Sequence, residues 1–565
     1  MDFFQEPPRL TNTYRADVPL REHLERLLPA DVLAQVEPEL DTVGEDAAGG
    51  LLELARQAER EQPVHVPYDP WGRRVDEIRV SPAWEELHRY QAAHGMCAVP
   101  YEGAFGEHAR VVQHALIHVY SPSSAIYTCP MAMTDAAVRV LLDHAEPELR
   151  DRVVPRLTSR EPDAWTSGQW MTEREGGSDV GRTATRARKG PDGRWKLYGT
   201  KWFTSATTAD CALTLARPEG APEGSGALAL FLVELVDPVT GESQIGKTIR
   251  VNRLKDKLGT KALPTAELTL DGAFVTPIGD PWAGRGLKKI SGMLNVTRAH
   301  NAMGAASGMR RGLDLALAYA RVRESFGASL IDLPLHRETM AELAVEAEAS
   351  FALALRVMQL TGRVEHGVAT EVEARALRGL LPVTKLLTGK DAVAHASEAL
   401  ESFGGAGYIE DTGLPQLLRN AQVLPIWEGT TNVLSLDLLR ATVKENALSA
   451  LLEDLVARLE DADAPALADT LRLVAAERDA LAAQALAWAQ TDPELVQAGM
   501  RRFALRLGRA YTAALLVEHA AYRLAKHNDD RAAIVARRYA ERWLDPSHAP
   551  APTADHAADT ARLLT

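Results

Sequence analysis

The feature that most constrains the fold is a change of texture near residue 164, reversed near residue 281. Between these points lie short runs at 165–171, 195–203, 212–216, 228–236, 249–254 and 266–270, rich in β-branched, aromatic or leucine residues. Clusters such as Lys189-Gly-Pro-Asp-Gly193 and the Pro/Gly-rich stretch 218–226 separate them. Short apolar runs bounded by turn residues predict a small antiparallel β domain. Both flanks read as helix. Before it, helical periodicity runs through 84–91, 106–119 and 132–144, interrupted at Pro7-Pro8 and 63–74. After it, Met309, Leu313, Ala316 and Ala320 form one apolar stripe, and further patterns cover 338–360, 372–387 and 390–402. A later region carries stripes at Leu451, Leu455 and Leu459, and at Ala504, Leu507, Tyr511 and Leu515.

The expected architecture is α+β. It comprises an N-terminal helical domain with an extension (1–163), a β-barrel domain (164–280), a C-terminal helical domain (281–445), an additional helical domain (446–545) and a poorly ordered Pro/Ala-rich tail (546–565).

Net charge is −14, which argues against wholesale nucleic-acid binding. One stretch departs from this. From 501 to 542 ten Lys/Arg face four Asp/Glu, a local excess of about +6. It reads either as a DNA-contacting surface or as an interface helix pairing with the acidic remainder. Three scattered cysteines, Cys97, Cys129 and Cys211, suit a reducing compartment. The N-terminus carries no basic and apolar signal pattern, and the longest apolar run (226–236) is too short to span a bilayer, so a cytoplasmic protein without membrane insertion is expected. His114 and His118 have metal-ligand spacing, yet no third ligand is apparent, and no metal is expected.

Five stretches bear on chemistry. Met171-Thr-Glu-Arg-Glu-Gly-Gly-Ser-Asp-Val180 follows a predicted strand, and its glycines, hydroxyls and amides suit an anionic or heteroaromatic cofactor; a plain connecting loop is the alternative. Lys201-Trp-Phe-Thr-Ser205 offers an indole and hydroxyls to a ring system, or a core tryptophan on a strand. Arg323-Glu-Ser-Phe-Gly327 offers a phosphate grip, or else Arg323 complements a helix C-terminus that Gly327 ends. Gly404-Gly-Ala-Gly407 follows a helix and lacks the spacing of a Rossmann site.

The last stretch is Leu424-Pro-Ile-Trp-Glu-Gly-Thr-Thr-Asn-Val433, which sets one carboxylate between an aromatic residue and a glycine. Desolvation moves a carboxyl pKa from about 4.3 toward 6–7, where it serves as a base near neutral pH. Otherwise Gly429 turns the chain, Thr430 or Thr431 caps the next helix, and Glu428 is a solvated turn residue.

In this order the motifs resemble the acyl-CoA dehydrogenase superfamily over roughly 80–445. The AidB-type adaptive-response flavoproteins are the branch most resembled, through Tyr68-Asp-Pro-Trp-Gly-Arg-Arg-Val-Asp-Glu-Ile-Arg79, Arg253-Leu-Lys-Asp-Lys-Leu-Gly259 and the extra C-terminal helices. The resemblance implies a helical domain, a middle antiparallel β-barrel and a four-helix domain, assembled as a homotetramer with FAD. Met171, Thr172, Gly177, Ser178, Trp202, Thr204 and Ser205 would line the flavin. Arg323 and Phe326 would meet it across a subunit interface, joined by Gly404, Gly405, Trp427, Thr430 and Asn432. Glu428 would be the base that takes the α-proton of an acyl-CoA thioester while the β-hydrogen leaves as hydride to flavin N5. Asn295, Arg298 and Gly429 would contact substrate. Two departures bear on substrate class: Asn295 where many members have Asp, and Glu401 where dehydrogenases often have Gln. AidB-type proteins are also associated with DNA binding and protection against alkylation damage, so a DNA-bound stress protein with weak dehydrogenase activity is the alternative function.

Overall fold

The structure, a computed structural model, describes residues 5–460, 462–545, 547 and 553–564. The chain forms two compact units, each built from separate chain segments.

One unit comprises residues 49–104 and 123–300. Its helices are Gly50–Arg60, Pro82–Ala93, Thr128–His144 and Pro147–Leu157, plus the first part of the helix Gly286–Val322. Ser81 starts Pro82–Ala93 by accepting the Trp84 N–H, with proline at the first helical position. A hairpin, β1 (Val64–Tyr68) and β2 (Arg74–Arg79), precedes the sheet of β3 (Ser167–Trp170), β4 (Arg186–Lys189), β5 (Trp195–Ser205), β6 (Cys211–Pro218), β7 (Ala229–Glu234), β8 (Ile249–Leu254) and β9 (Thr265–Pro277). The order β3-β6-β4-β5-β9-β7 closes into a barrel because β7 also pairs with β6, and β8 adds to β9. Most pairings are antiparallel as expected, but β3–β6 and β4–β6 are parallel. Trp170, Trp195, Leu197, Phe231, Val233, Ile249, Leu268 and Leu270 fill the interior.

Two of the three sequence features that point to the AidB branch meet in this unit. Asp76 of β2 is fully buried and accepts the Val251 N–H of β8 at 3.0 Å, while Arg74 donates to the Val251 carbonyl at 2.8 Å. The hairpin of the extension is therefore fastened to the barrel strand that leads into Arg253-Leu-Lys.

The other unit comprises residues 1–48, 105–122 and 301–565, so the expected N-terminal helical domain is divided between units. Its helices include Ala30–Ala48, Pro334–Glu365, Glu371–Glu401, Thr431–Glu445, Ala468–Ala487 and Pro493–His527, with the remainder of Gly286–Val322. A capping box, Thr370 with Glu373, starts Glu371–Glu401. The additional C-terminal helices are part of this core. Gly508 lets Pro493–His527 approach Val383 and Leu387 closely, and Tyr511 is buried with its hydroxyl on Asp454, which also pairs with Arg356 at 2.6 Å. Of the expected disordered tail, residues 546, 548–552 and 565 lie outside the described residues. Residues Ala554–Leu563 form a helix instead: Thr553 caps it, Thr560 and Leu563 are buried, and Thr560 donates to Glu338 at 2.6 Å.

Candidate active site

In the barrel unit the Met171–Val180 loop is anchored by Glu173. Its carboxylate accepts the Lys201 ammonium at 2.6 Å, the Thr185 hydroxyl at 2.6 Å, and the N–H groups of Ala184 and Thr185 at 2.7 and 3.2 Å. Burial alone would raise this carboxyl. Lys201 and the other donors outweigh it and hold Glu173 below the usual carboxylate range. Glu173 and Lys201 thus explain the polar members of two motifs: they hold the loop and turn nothing toward a ligand. Beyond this clamp Gly177 and Ser178 are exposed, and a Cβ on Gly177 would meet only Thr172 Cγ2, at 3.8 Å.

Trp202 is only half-buried, because the β5–β9 register shifts between Lys201 and Thr204. This irregularity re-aims a side chain that regular pairing would send along the sheet. The Trp202 N–H donates to the Thr172 carbonyl at 2.9 Å, tying the two motifs together. One face of the indole carries the Lys255 ammonium, 3.5 Å from the ring centroid. Thr204 is buried and donates to the Ala266 carbonyl, and Ser205 bonds Thr265 at 3.2 Å, so both hydroxyls already serve the barrel. On Gly286–Val322, Asn295 is exposed and Arg298 buried, one helical turn apart.

In the helical unit Glu428 sits at φ +56° and Gly429 at φ +107°, so two successive residues occupy left-handed backbone. A non-glycine residue there marks a locally strained turn. A Cβ on Gly429 would approach Leu434 Cδ2 to 3.1 Å. Lys385, fully buried on Glu371–Glu401, donates to the Gly429 carbonyl at 2.7 Å. Thr430 takes the N-cap position of Thr431–Glu445, but its hydroxyl makes no capping bond. The buried Trp427 Nε1–H has no acceptor among the described residues. Asn432 is exposed and accepts from Arg501 at 3.2 Å.

The Gly404–Gly407 turn divides its labour. Gly404 takes φ +59°, and a Cβ on Gly407 would lie 2.0 Å from the Leu400 carbonyl oxygen. Gly405 has neither constraint and presents open backbone. Arg323 lies just past Val322, where the helix ends, and its exposed guanidinium bonds Gln5 at 2.9 Å. Gly327 does not end that helix. With Phe326, at φ +52°, it forms the two-residue turn of the hairpin β10 (Glu324–Ser325) and β11 (Ala328–Ser329). Phe326 at the tip is 96% exposed.

The basic stretch 501–542 is paired internally. Arg506 meets Glu477, Arg509 meets Asp391, Arg523 and Lys526 meet Glu25, and Arg531 meets Glu348. Arg537 meets Asp559, Arg538 meets Glu338, and Arg542 meets Glu342. His118 bonds Asp17 at 3.0 Å and Ser307 at 3.1 Å, and His114 lies 3.0 Å from the Arg110 carbonyl, so both are core histidines. Buried His23, Glu348 and His519 cluster. One ligand atom from each lies within 4.8 Å of the others, the two rings stack at 3.9 Å, and Arg531 engages Glu348.

Four family models match consecutive segments: the AidB N-terminal domain (5–164), the acyl-CoA dehydrogenase middle domain (168–273), the acyl-CoA dehydrogenase C-terminal domain (284–443) and the acyl-CoA dehydrogenase 11 C-terminal domain-like model (446–562). The chain belongs to the acyl-CoA dehydrogenase family of flavin-dependent oxidoreductases. Within it, acyl-CoA dehydrogenase family member 11 of Caenorhabditis elegans is 43% identical over 534 residues, covering 92% of this chain and 86% of the relative. Acyl-CoA dehydrogenase AidB of Escherichia coli, described as putative, is 32% identical over 81% of this chain and 84% of its own length. The solved structure of C. elegans ACDH-11 in complex with C11-CoA superposes with a TM-score of 0.90 at 40% identity, covering 95% of this chain and 92% of that one.

Proposed function

We propose that this protein is an FAD-dependent acyl-CoA dehydrogenase in which Glu428 removes the α-proton of an acyl thioester. The observation that carries the reading is Glu428 itself: a carboxylate held on left-handed backbone between Trp427 and Gly429, in a chain of this family. A bound FAD supplies the two-electron acceptor for the β-hydrogen. The residues suit such a group. The Trp427 Nε1–H lacks an acceptor among the described residues, Gly405 and Gly177 leave backbone open to close approach, and Trp202 is re-aimed by the strand irregularity. Arg323 offers a guanidinium fork to the pyrophosphate. Glu428 takes the proton, and its N–H donates to the thioester oxygen as negative charge develops there. Arg298 and Asn295 hold the CoA arm. A C11-CoA-bound relative makes a medium-length acyl thioester the first substrate to try.

We further propose a homotetramer, supported by Phe326 and Tyr408, which are 96% and 90% exposed in one chain. The division into four domains and a tail made from sequence, and a cytoplasmic location, complete the reading. Among the described residues no helix is long and apolar enough to cross a membrane.

A second reading, a DNA-associated stress protein, draws on the AidB likeness. Its sequence support weakens because eight of the ten cations in 501–542 are in ion pairs with carboxylates of this chain. DNA binding that falls steeply with salt would restore it.

Incubation with an acyl-CoA in D2O tests the base directly. Deuterium should enter the α-carbon with the wild-type protein and not with Glu428→Gln. Equal exchange in both overturns the assignment.

A further inference from the structure

We propose that Lys385 is a positioning residue for Glu428: its N–H on the Gly429 carbonyl braces the turn that carries the base. This rests on the dehydrogenase reading above.

Lysine is almost never fully buried unless paired. Lys385 is 0% exposed, inside a buried stretch of the helix Glu371–Glu401, and spends an N–H on a main-chain carbonyl, 2.7 Å away, of the residue that follows Glu428. One helical turn further along the same face lies Gly389. A Cβ there would stand 3.0 Å from the Leu424 carbonyl oxygen and 3.2 Å from the Pro425 nitrogen. Leu424 and Pro425 open the stretch that Gly429 closes. Both limbs of the base turn therefore rest on one helix face, at positions i and i+4.

The turn needs this support. Left-handed backbone at Glu428 persists only where the surroundings over-determine it. Fixing the Gly429 carbonyl fixes the peptide plane between Gly429 and Thr430 and so restrains the chain immediately after Glu428.

The test uses the FAD-loaded protein and the thioester that reduces it best. Lys385→Met removes the donor at similar length, Lys385→Arg keeps one, and Gly389→Ala pushes on the other limb with Lys385 intact. Lys385→Met should retain FAD and KM within about twofold while kcat falls about ten- to a hundredfold, within the range that positioned acid–base groups contribute. Lys385→Arg should recover much of the lost kcat, and Gly389→Ala should lower kcat at unchanged KM. A Lys385→Met protein with wild-type kcat overturns the inference. Should Lys385→Met fail to fold, Gly389→Ala decides: slowed turnover at unchanged KM upholds the inference, and wild-type kcat overturns it. A wild-type protein whose flavin no thioester reduces overturns the dehydrogenase reading, and this inference with it. A reactive wild type beside an indifferent Lys385→Met overturns this inference alone.

Discussion

Two functional loops, one in each unit, are held by a buried lysine from a neighbouring element, and the lysines meet different acceptors. Lys201 meets the Glu173 carboxylate beneath the Met171–Val180 loop; Lys385 meets a main-chain carbonyl beneath the Glu428 turn. In the first case a carboxylate offsets the charge, so the pair acts as a clamp and presents nothing outward. In the second the lysine braces the main chain of the turn that carries the base. The difference teaches how one residue type can hold a cofactor loop through a side-chain ion pair and a catalytic turn through its backbone.

The comparison breaks most visibly at Lys201. Lys201→Met strands Glu173 as a buried charge with one partner gone, so chemical denaturation should show a loss of about 3–5 kcal/mol, with FAD released. Wild-type stability in this variant would mean that the clamp is not what holds the loop.

The helix that carries Lys385 also buries His395, whose Nε2 lies 3.2 Å from the Leu343 carbonyl. Burial pushes this imidazole down to about 4 from its ordinary 6.5. Its folded pKa is depressed, so the associated stability is complete above pH 6.5. It is lost as pH falls toward 4, because the unfolded chain takes up a proton that the folded chain refuses, a loss on the order of 3 kcal/mol. His23, buried and repelled by surrounding cations, adds in the same direction. Denaturation midpoints at pH 7 and pH 4.5 should therefore differ less in His395→Asn than in wild type. Asp17 adds nothing in this window. Burial would raise it, yet Arg310, His118 and the Leu20 N–H bring it to about 2, so its contribution fades only below the ordinary carboxylate range.

Replacing both members of the Lys201–Glu173 pair sharpens the contrast. Lys201→Met with Glu173→Leu should be more stable than Lys201→Met alone, since no buried charge is stranded, yet stay below wild type because the Ala184 and Thr185 donors lose their acceptor. FAD affinity should stay low, because a leucine side chain cannot accept the Ala184 and Thr185 donors that shape the loop. The smallest effect is at Gly405, where open space meets the missing Cβ. Gly405→Ala should shift stability by less than about 0.5 kcal/mol while weakening FAD binding, measured by flavin fluorescence on dilution.

The barrel was legible because its strands are short, apolar and punctuated by turn residues. The strand that escaped, Arg186–Lys189, buries only Ala187 and is otherwise polar, so no apolar run announced it. The parallel pairings were equally hidden, since strand direction depends on partners far apart in sequence. Gly327 was misread because an Arg-to-Gly segment after a helix fits both a C-cap and a hairpin; Phe326 at positive φ decides for the hairpin. Of the two readings of the 501–542 stretch, internal pairing is the one seen, and its carboxylate partners come from as far away as Glu25 and Glu338. Glu428 and its neighbours were visible as a motif. Lys385 was not, although a lone lysine within Leu380–Leu387 was a usable signal.

The most direct test of the central claim is anaerobic titration of the FAD-loaded protein with a panel of acyl-CoAs of increasing chain length, with Glu428→Gln alongside. Rapid bleaching of the oxidised flavin by one thioester in the wild type, absent in Glu428→Gln, is the predicted result. A flavin that dithionite reduces but no thioester bleaches would contradict the account.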